Sequence, residues 1–255
     1  MAFDIIGDIA IVDLIEDKKL EKKTVESLRE THPNVRTVLM KTGGREGEFR
    51  TRSMKKLWGD GTETLNLEHG LKFRLDVETC YFSPRELTER QRIAADVSPK
   101  ETVMVMFAGV APFGIAIAKK QPKVAKVYSV ESNPYCHKYA EENVKLNACK
   151  YVVEPILGDV KDVCKPYFGK CDRVIMPLPR EGYKFLPVAI ACLKKKGGVI
   201  HFYYVSGASN MFGEAVEVAK SQCGRMGRKC RILGQHKVLP FGPGKFKVCI
   251  DFEVR

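Results

Sequence analysis

Two rhythms divide the chain. Up to about residue 77, short runs alternate apolar and polar positions around glycine turns; from about residue 84, fully apolar runs alternate with amphipathic stretches. In the first part, DIIGDIAIVDL has strand composition broken by Gly7, and EKKTVESLRETH is helical, with Pro33 just after it. NVRTVLMKT predicts a strand turned by Gly43-Gly44, and residues 47–77 predict antiparallel strands.

The second rhythm is strand–helix–strand. PRELTERQRIAADV predicts a helix, TVMVMFAGV a buried strand running into Gly109, and PFGIAIAKKQ the next helix. AKVYSVESN is a strand ending in an acid, and PYCHKYAEENVKLNA is a helix with Pro134 at its first position. Strands follow at YVVEPILGD and CDRVIMPLP, then a helix over 184–198 with a Lys-rich last turn and a Gly stop. GVIHFYYVS predicts a strand and residues 210–227 a helix; residues 230–254 form two strands around a Pro/Gly hairpin. Apolar strands alternating with helices imply a parallel sheet covered on both faces. The expected architecture is α/β: a Rossmann-like domain over 78–255, its mostly parallel sheet closed by a C-terminal antiparallel hairpin. A small α+β domain over 1–77 precedes it.

Charge sharpens this division. The net charge is +12. Residues 1–76 carry 14 Lys+Arg against 14 Asp+Glu, so the excess, 29 against 17, lies entirely in residues 77–255. A polyanionic partner is expected there, and nucleic acid is the commonest one. Charge alone fits a basic soluble surface equally well. The nine cysteines form no CxxC pair, which argues against a zinc site and for free thiols in a reducing compartment. No apolar run reaches the length of a membrane span, and acids interrupt the N-terminal MAFDIIGDIA. A cytosolic protein without metal is expected.

Ligands of such sheets bind beyond the carboxyl ends of the strands. Phe107-Ala108-Gly109 ends the first strand, and Gly109 admits close backbone approach. The single glycine fails the GxGxxG pattern, which argues against a dinucleotide pyrophosphate cradle. Glu131 ends the next strand, where a ribose diol is commonly held, and Asp159 ends the third, placed to accept from an exocyclic amine. Singly, each has a plainer reading: a tight turn for Gly109, helix N-caps for the two acids. In register on three successive strands they favour a nucleotide-type site. The fourth strand stops at Pro177-Leu178-Pro179, with no polar side chain before Arg180. A glycine loop, two acids and a Pro-containing fourth loop resemble the layout of S-adenosylmethionine-dependent methyltransferases of class I.

The motif order is more specific. YFSPRELTER, FAGVAPF, VESNPYCHKYAEENVKLN, GDV, DRVIMPLP, GGVIHFYYV and CIDFEV resemble the archaeal–eukaryotic tRNA guanine-37 N1-methyltransferase family and its wyosine-pathway relatives. DIIGDIAIVDL, HPNVRTVLMK and GEFRTR…TETLNLEHGLKFRLDV resemble that family's middle domain, so the likeness spans nearly the whole chain. It implies S-adenosylmethionine as cofactor, the anticodon stem-loop of tRNA as partner, and a monomer. It places Phe107, Ala108, Gly109, Glu131, Asp159, Val160 and Pro177, Leu178 and Pro179 around the cofactor, with Arg85 on its methionine carboxylate.

N1 of guanine carries a proton, and its methylation shifts negative charge to O6. The resemblance assigns the proton to Glu89 and O6 to Arg50. Arg52, two residues on and on the same sheet face, is the rival to Arg50. Tyr81 matches an aromatic near the splayed-out base. The plainer readings are an exposed Glu89 paired with Arg85, a surface or phosphate-binding Arg50, and a core Tyr81.

Three departures stand out. The family usually carries a further small N-terminal domain, and this chain starts at the middle domain. Val105 stands where an acid is common. Pro177 replaces the asparagine of the usual Asn-Leu-Pro, leaving main-chain carbonyls such as those of Met176 and Pro177 as acceptors. A Pro-bearing archaeal subgroup of the wyosine pathway shares that swap, and its members can also methylate C7 of the tricyclic imidazopurine. Competing readings are the aminocarboxypropyl transferase of the same pathway, a non-catalytic RNA-binding module and a small-molecule methyltransferase. Retention of Glu89 and Arg50 favours methyl transfer.

Overall fold

The computed structural model describes residues 3–44, 49 and 51–255. Its first unit is a four-stranded sheet of β1 (Phe3–Ile6), β2 (Ile9–Val12), β3 (Thr37–Lys41) and β4 (Met54–Gly59), in that order. β2 and β3 run parallel, joined by helix α1 (Lys18–Thr31), whose first turn is capped by Asp17. Gly7 turns β1 into β2 at φ +58; a Cβ there would sit 2.0 Å from Thr64 Oγ1. The turn is pinned where that glycine makes room, since the Thr64 hydroxyl donates to Asp8 Oδ1 at 2.6 Å.

Thr64 belongs to a separate hairpin of β5 (Glu63–Glu68) and β6 (Leu71–Asp76). The hairpin packs on α4 (Pro134–Leu146), and two asparagines make the join. Asn143 accepts the Arg74 N–H at 2.7 Å and donates to the Arg74 carbonyl at 2.9 Å. Asn147, just past the helix, does the same with Lys72, at 3.0 and 2.7 Å. Four residues of helix rise about 6 Å and two residues of strand about 6.6 Å, so the two side chains match the ladder spacing. A helix face thereby satisfies a strand edge that would otherwise stand open. Glu68 adds a buried ion pair with Arg90, its Oε1 accepting from Nε at 2.7 Å. Phe73 and Leu75 of β6 and Ile6, Ile9 and Ile11 of the first sheet share one core with the second unit.

The second unit is a seven-stranded sheet built with α2 (Leu87–Asp96), β7 (Thr102–Met106), α3 (Pro112–Lys120), β8 (Lys126–Glu131) and β9 (Val153–Leu157). It continues through α5 (Val160–Val163), β10 (Arg173–Met176), α6 (Leu186–Cys192), β11 (Gly198–Gly207), α7 (Gly213–Arg225), β12 (Cys230–Gly242) and β13 (Lys245–Val254). The order is β12-β13-β11-β10-β7-β8-β9; the five strands from β11 to β9 are parallel, and β13 is antiparallel to both its neighbours. This is the expected α/β sheet with its antiparallel closure. The chain leaves β7 toward β8 and returns at β10 on the other side, so the switch point lies between β7 and β10.

One helix is shorter than its pattern. α6 ends at Cys192, because Leu193 is extended and bridges Cys171. The lysines expected in its last turn lie beyond it, and Lys194 Nζ binds Asp172 at 2.6 Å. No helix among the described residues is long and apolar enough to cross a membrane.

Candidate active site

A cavity of about 340 Å³ opens at the switch point, over the carboxyl ends of β7, β8, β9 and β10. The loop after β7 shapes its floor. Phe107, Gly109 and Ala111 all have positive φ, at 56°, 55° and 65°. Two of them are not glycine, so about 1–3 kcal/mol of strain is held at each by the surrounding contacts. Phe107 is fixed edge-on against Phe185, with ring centroids 4.9 Å apart.

Glu131 locks that loop. Its Oε2 accepts the Gly109 N–H at 2.6 Å and its Oε1 the Asn133 N–H at 2.9 Å. Burial pushes its carboxyl above the usual range, and the backbone N–H groups only partly counter that. Glu131 is no helix cap: Asn133 caps α4, accepting from Tyr135 N at 3.0 Å. Asp159 both lines the cavity and caps α5, accepting the Lys161 N–H at 2.7 Å. Val160 beside it is buried and also lines the cavity.

Pro177, Leu178 and Pro179 form another wall. The Met176 carbonyl is taken by Leu178 N at 2.8 Å, that of Leu178 by Gly182 N, and that of Pro179 by Val205 N. Among the described residues the Pro177 carbonyl has no such partner, so it is the acceptor this loop offers. Ala108 lines a small adjoining space of about 50 Å³ together with Tyr81, Glu86, Gly109 and Pro177.

Tyr81 stands at the wall, 43 % exposed, and its hydroxyl donates to Glu86 at 3.3 Å. Phe49, Leu239 and Phe241 complete an apolar mouth. Arg50 lies outside the described residues, while Phe49 next to it lines the cavity. Arg52 is not among the cavity residues; its buried Nε has no partner. Arg85 faces elsewhere, with Nε on Asp4 Oδ1 at 2.7 Å.

Glu89 is neither exposed nor paired with Arg85, and it does not line the cavity. Arg92 grips it with two bonds of 2.9 and 2.8 Å, and the Tyr203 hydroxyl donates to Oε1 at 2.6 Å. Burial opposes its ionisation, but the bonds from Arg92 and Tyr203 outweigh burial and hold its carboxyl below the usual range. Arg92 continues to Asp251 at 2.6 Å, and Asp251 Oδ1 meets His201 Nδ1 at 2.7 Å. Arg173 NH1 lies 2.6 Å from His201 Nε2 and pairs with Glu101 on its other side. This pattern assigns the proton of a neutral His201 to Nδ1. His201, Cys249 and Asp251 offer ligand atoms within 4.8 Å of one another, but Arg92 and Arg173 already supply positive charge there.

Glu86 and Lys247 escape the sequence reading altogether. Both line the cavity, and Lys247 Nζ donates to Glu86 Oε2 at 2.8 Å. A signal exists for the lysine: Lys247, Cys249 and Asp251 alternate with Val248, Ile250 and Phe252, giving the closing strand a polar face that is nonetheless buried.

The mostly parallel sheet, with antiparallel β13 between β12 and β11 and an acid-bearing crevice at its switch point, fits the class I methyltransferase fold. The chain belongs to the TRM5/TYW2 methyltransferase family, whose domain matches residues 64–233; the TYW2 N-terminal domain matches residues 1–62. It is 40% identical to the tRNA (guanine(37)-N(1))-methyltransferase Trm5b of Pyrococcus abyssi, over 99% of this chain and 74% of that protein. The crystal structure of that Trm5b superposes with a TM-score of 0.89. The chain is also 35% identical to a Methanocaldococcus jannaschii tRNA(Phe) (4-demethylwyosine(37)-C(7)) aminocarboxypropyltransferase, over 96% of this chain and 95% of that one. A structure of M. jannaschii TYW2 in complex with AdoMet matches at 30% identity and TM-score 0.78, covering 100% and 99% of the two chains.

Proposed function

We propose that this protein transfers the methyl group of S-adenosylmethionine to N1 of guanosine 37 in tRNA. The observation that carries the reading is the cavity itself. Glu131 at one wall can accept a ribose diol, Asp159 an exocyclic amine, and Tyr81 with Phe49 offers aromatic surface for a base turned out of its stack. The similarity to Trm5b supports the tRNA substrate, as does the excess of cations beyond residue 77. In this reading residues 1–77 position the tRNA and residues 78–255 hold the cofactor.

The sulfonium is already electrophilic, so the protein has to align it with N1 and remove one proton. Glu89 remains the proposed acceptor of that proton. Its lowered pKa keeps it ionised at neutral pH, and Arg92 and Tyr203 take three of its acceptor positions, leaving one on Oε2 for the incoming proton. Arg50 remains the proposed partner of O6.

A second reading has its own support. The 35% identity to the aminocarboxypropyltransferase runs over 95% of that protein, and Saccharolobus solfataricus tRNA 4-demethylwyosine(37)-methyltransferase Taw21 is 34% identical over 89% of its length. A carbon nucleophile needs no amide acceptor, which suits the Pro177 loop. One experiment separates the three outcomes. The protein is incubated with cofactor labelled separately on the methyl and carboxypropyl carbons, and with tRNA bearing either G37 or 4-demethylwyosine; nucleosides are then read by mass spectrometry. Methyl label in 1-methylguanosine supports the main reading. Methyl label in the tricycle alone supports C7 methylation, and carboxypropyl label overturns both.

A further inference from the structure

The cavity wall carries a buried ion pair that no role above uses. Glu86 precedes α2 and Lys247 sits in β13; they are 3% and 2% exposed, and both line the cavity. A buried pair is weak evidence for stability, because desolvating two charges cancels most of their attraction. Placed in a ligand cavity, such a pair calls for a functional account.

The pair is also undersubscribed. Lys247 Nζ has three N–H donors, and among the described residues only Glu86 accepts one; the ammonium otherwise lies over the Tyr203 ring at 4.7 Å. Glu86 accepts from Lys247 through Oε2 and from Tyr81 through Oε1, which leaves a lone pair on each oxygen. Arg85, the cation expected on the cofactor's carboxylate, is instead engaged with Asp4 outside the cavity. Among the described residues, Lys247 is the one Lys or Arg that lines it.

We propose that Glu86 and Lys247 together read the amino-acid end of the cofactor. The tail of S-adenosylmethionine is a zwitterion, with an ammonium and a carboxylate on one carbon. Two charges of opposite sign 2.8 Å apart meet it with the complementary order: Glu86 accepts from the α-ammonium and Lys247 donates to the α-carboxylate. Four alternating charges close into a ring in which each has an opposite neighbour. Glu86 also lines the small space beside Gly109 and Pro177, which extends from the nucleoside end of the site. The assignment rests on the cofactor reading above.

The test uses two ligands that differ in the tail. S-adenosylhomocysteine carries the zwitterion, and 5′-methylthioadenosine keeps the nucleoside and sulfur without it. Each is titrated calorimetrically into wild type, E86Q, K247M and R85A. The expected result is a loss of about tenfold or more in S-adenosylhomocysteine affinity for E86Q and K247M, with methylthioadenosine affinity within about twofold of wild type and R85A unchanged for both. Retained methylthioadenosine binding shows that a variant is folded. Equal loss of both ligands, no loss of either, or a tail-specific loss in R85A alone overturns the assignment. If wild type binds neither ligand, the cofactor reading fails instead, so the two failures are distinct.

Discussion

Replacing Glu131 by Gln tests the core of the site with almost no change in shape. The carboxylate accepts two backbone N–H groups, at 2.6 Å from Gly109 and 2.9 Å from Asn133. An amide keeps one acceptor and turns a donor toward one of those donors. For the apo protein, a lost charge-assisted bond is partly offset by the removal of a buried charge, leaving about 1–2 kcal/mol of destabilisation. Over 255 residues the unfolding entropy is about 0.5 kcal/mol/K, so Tm falls by about 2–4 °C. The ligand effect is larger. Two ribose hydroxyls bonded to a carboxylate at about 1.5–3 kcal/mol each are exchanged for one ordinary bond, costing about 2–4 kcal/mol. That is about 30- to 1000-fold in the dissociation constant of S-adenosylhomocysteine. Adenine, without a diol, should bind wild type and variant alike. Wild-type affinity should also weaken as pH falls through the raised pKa of Glu131, because protonation removes an acceptor, while the variant shows no such arm. Calorimetric titration at a series of pH values from about 4.5 upward reads all of this. An affinity within threefold of wild type, or a pH arm that survives in the variant, refutes the ribose assignment.

Three further outcomes follow from the buried polar groups. Asn143→Leu strands the Arg74 N–H and two carbonyls, those of Arg74 and Val110; it should cost about 3–5 kcal/mol in urea unfolding, and a loss under 1 kcal/mol would discount the helix-to-strand join. His201 is buried with its pKa lowered chiefly by burial, so the unfolded chain binds the extra proton and stability should fall as pH drops below about 6.5. Glu89 and Asp251, both with lowered pKa, add a second loss at lower pH, as protons reach carboxylates that the fold holds ionised; in a urea midpoint–pH curve His201→Asn should remove the first arm and weaken the second, since the bond from His201 helps to hold Asp251 ionised. Glu89→Gln should remove most N1-methylation while leaving S-adenosylhomocysteine affinity nearly intact, and equal loss or retention of both would sink its role as base.

The strands that build the crevice were the most legible part of the sequence. β7 and β10 are buried on both faces, so they print as unbroken apolar runs, and their ends announce Gly109 and Pro177 directly. Glu131 and Asp159 followed from register alone. What stayed hidden depends on partners distant in sequence. The extended Leu193 ends α6 early because it bridges Cys171. Glu89 looks like a surface acid until β11 and β13 bring Tyr203 and Asp251 around it and its Arg92. Glu86 and Lys247, 161 residues apart, meet only through the closing hairpin.

Asn143 makes a third bond that ends in a different part of the molecule. Its amide also donates to the Val110 carbonyl at 3.2 Å, inside the loop between β7 and α3. One side chain thus touches the rim of the β5–β6 hairpin and the loop that floors the cavity. Ligand binding and hairpin docking then share a free-energy cycle, and linkage makes the traffic two-way. Filling the cavity should slow hydrogen exchange at Lys72 and Arg74, and an RNA that presses on the hairpin should tighten the cavity's grip by the same factor.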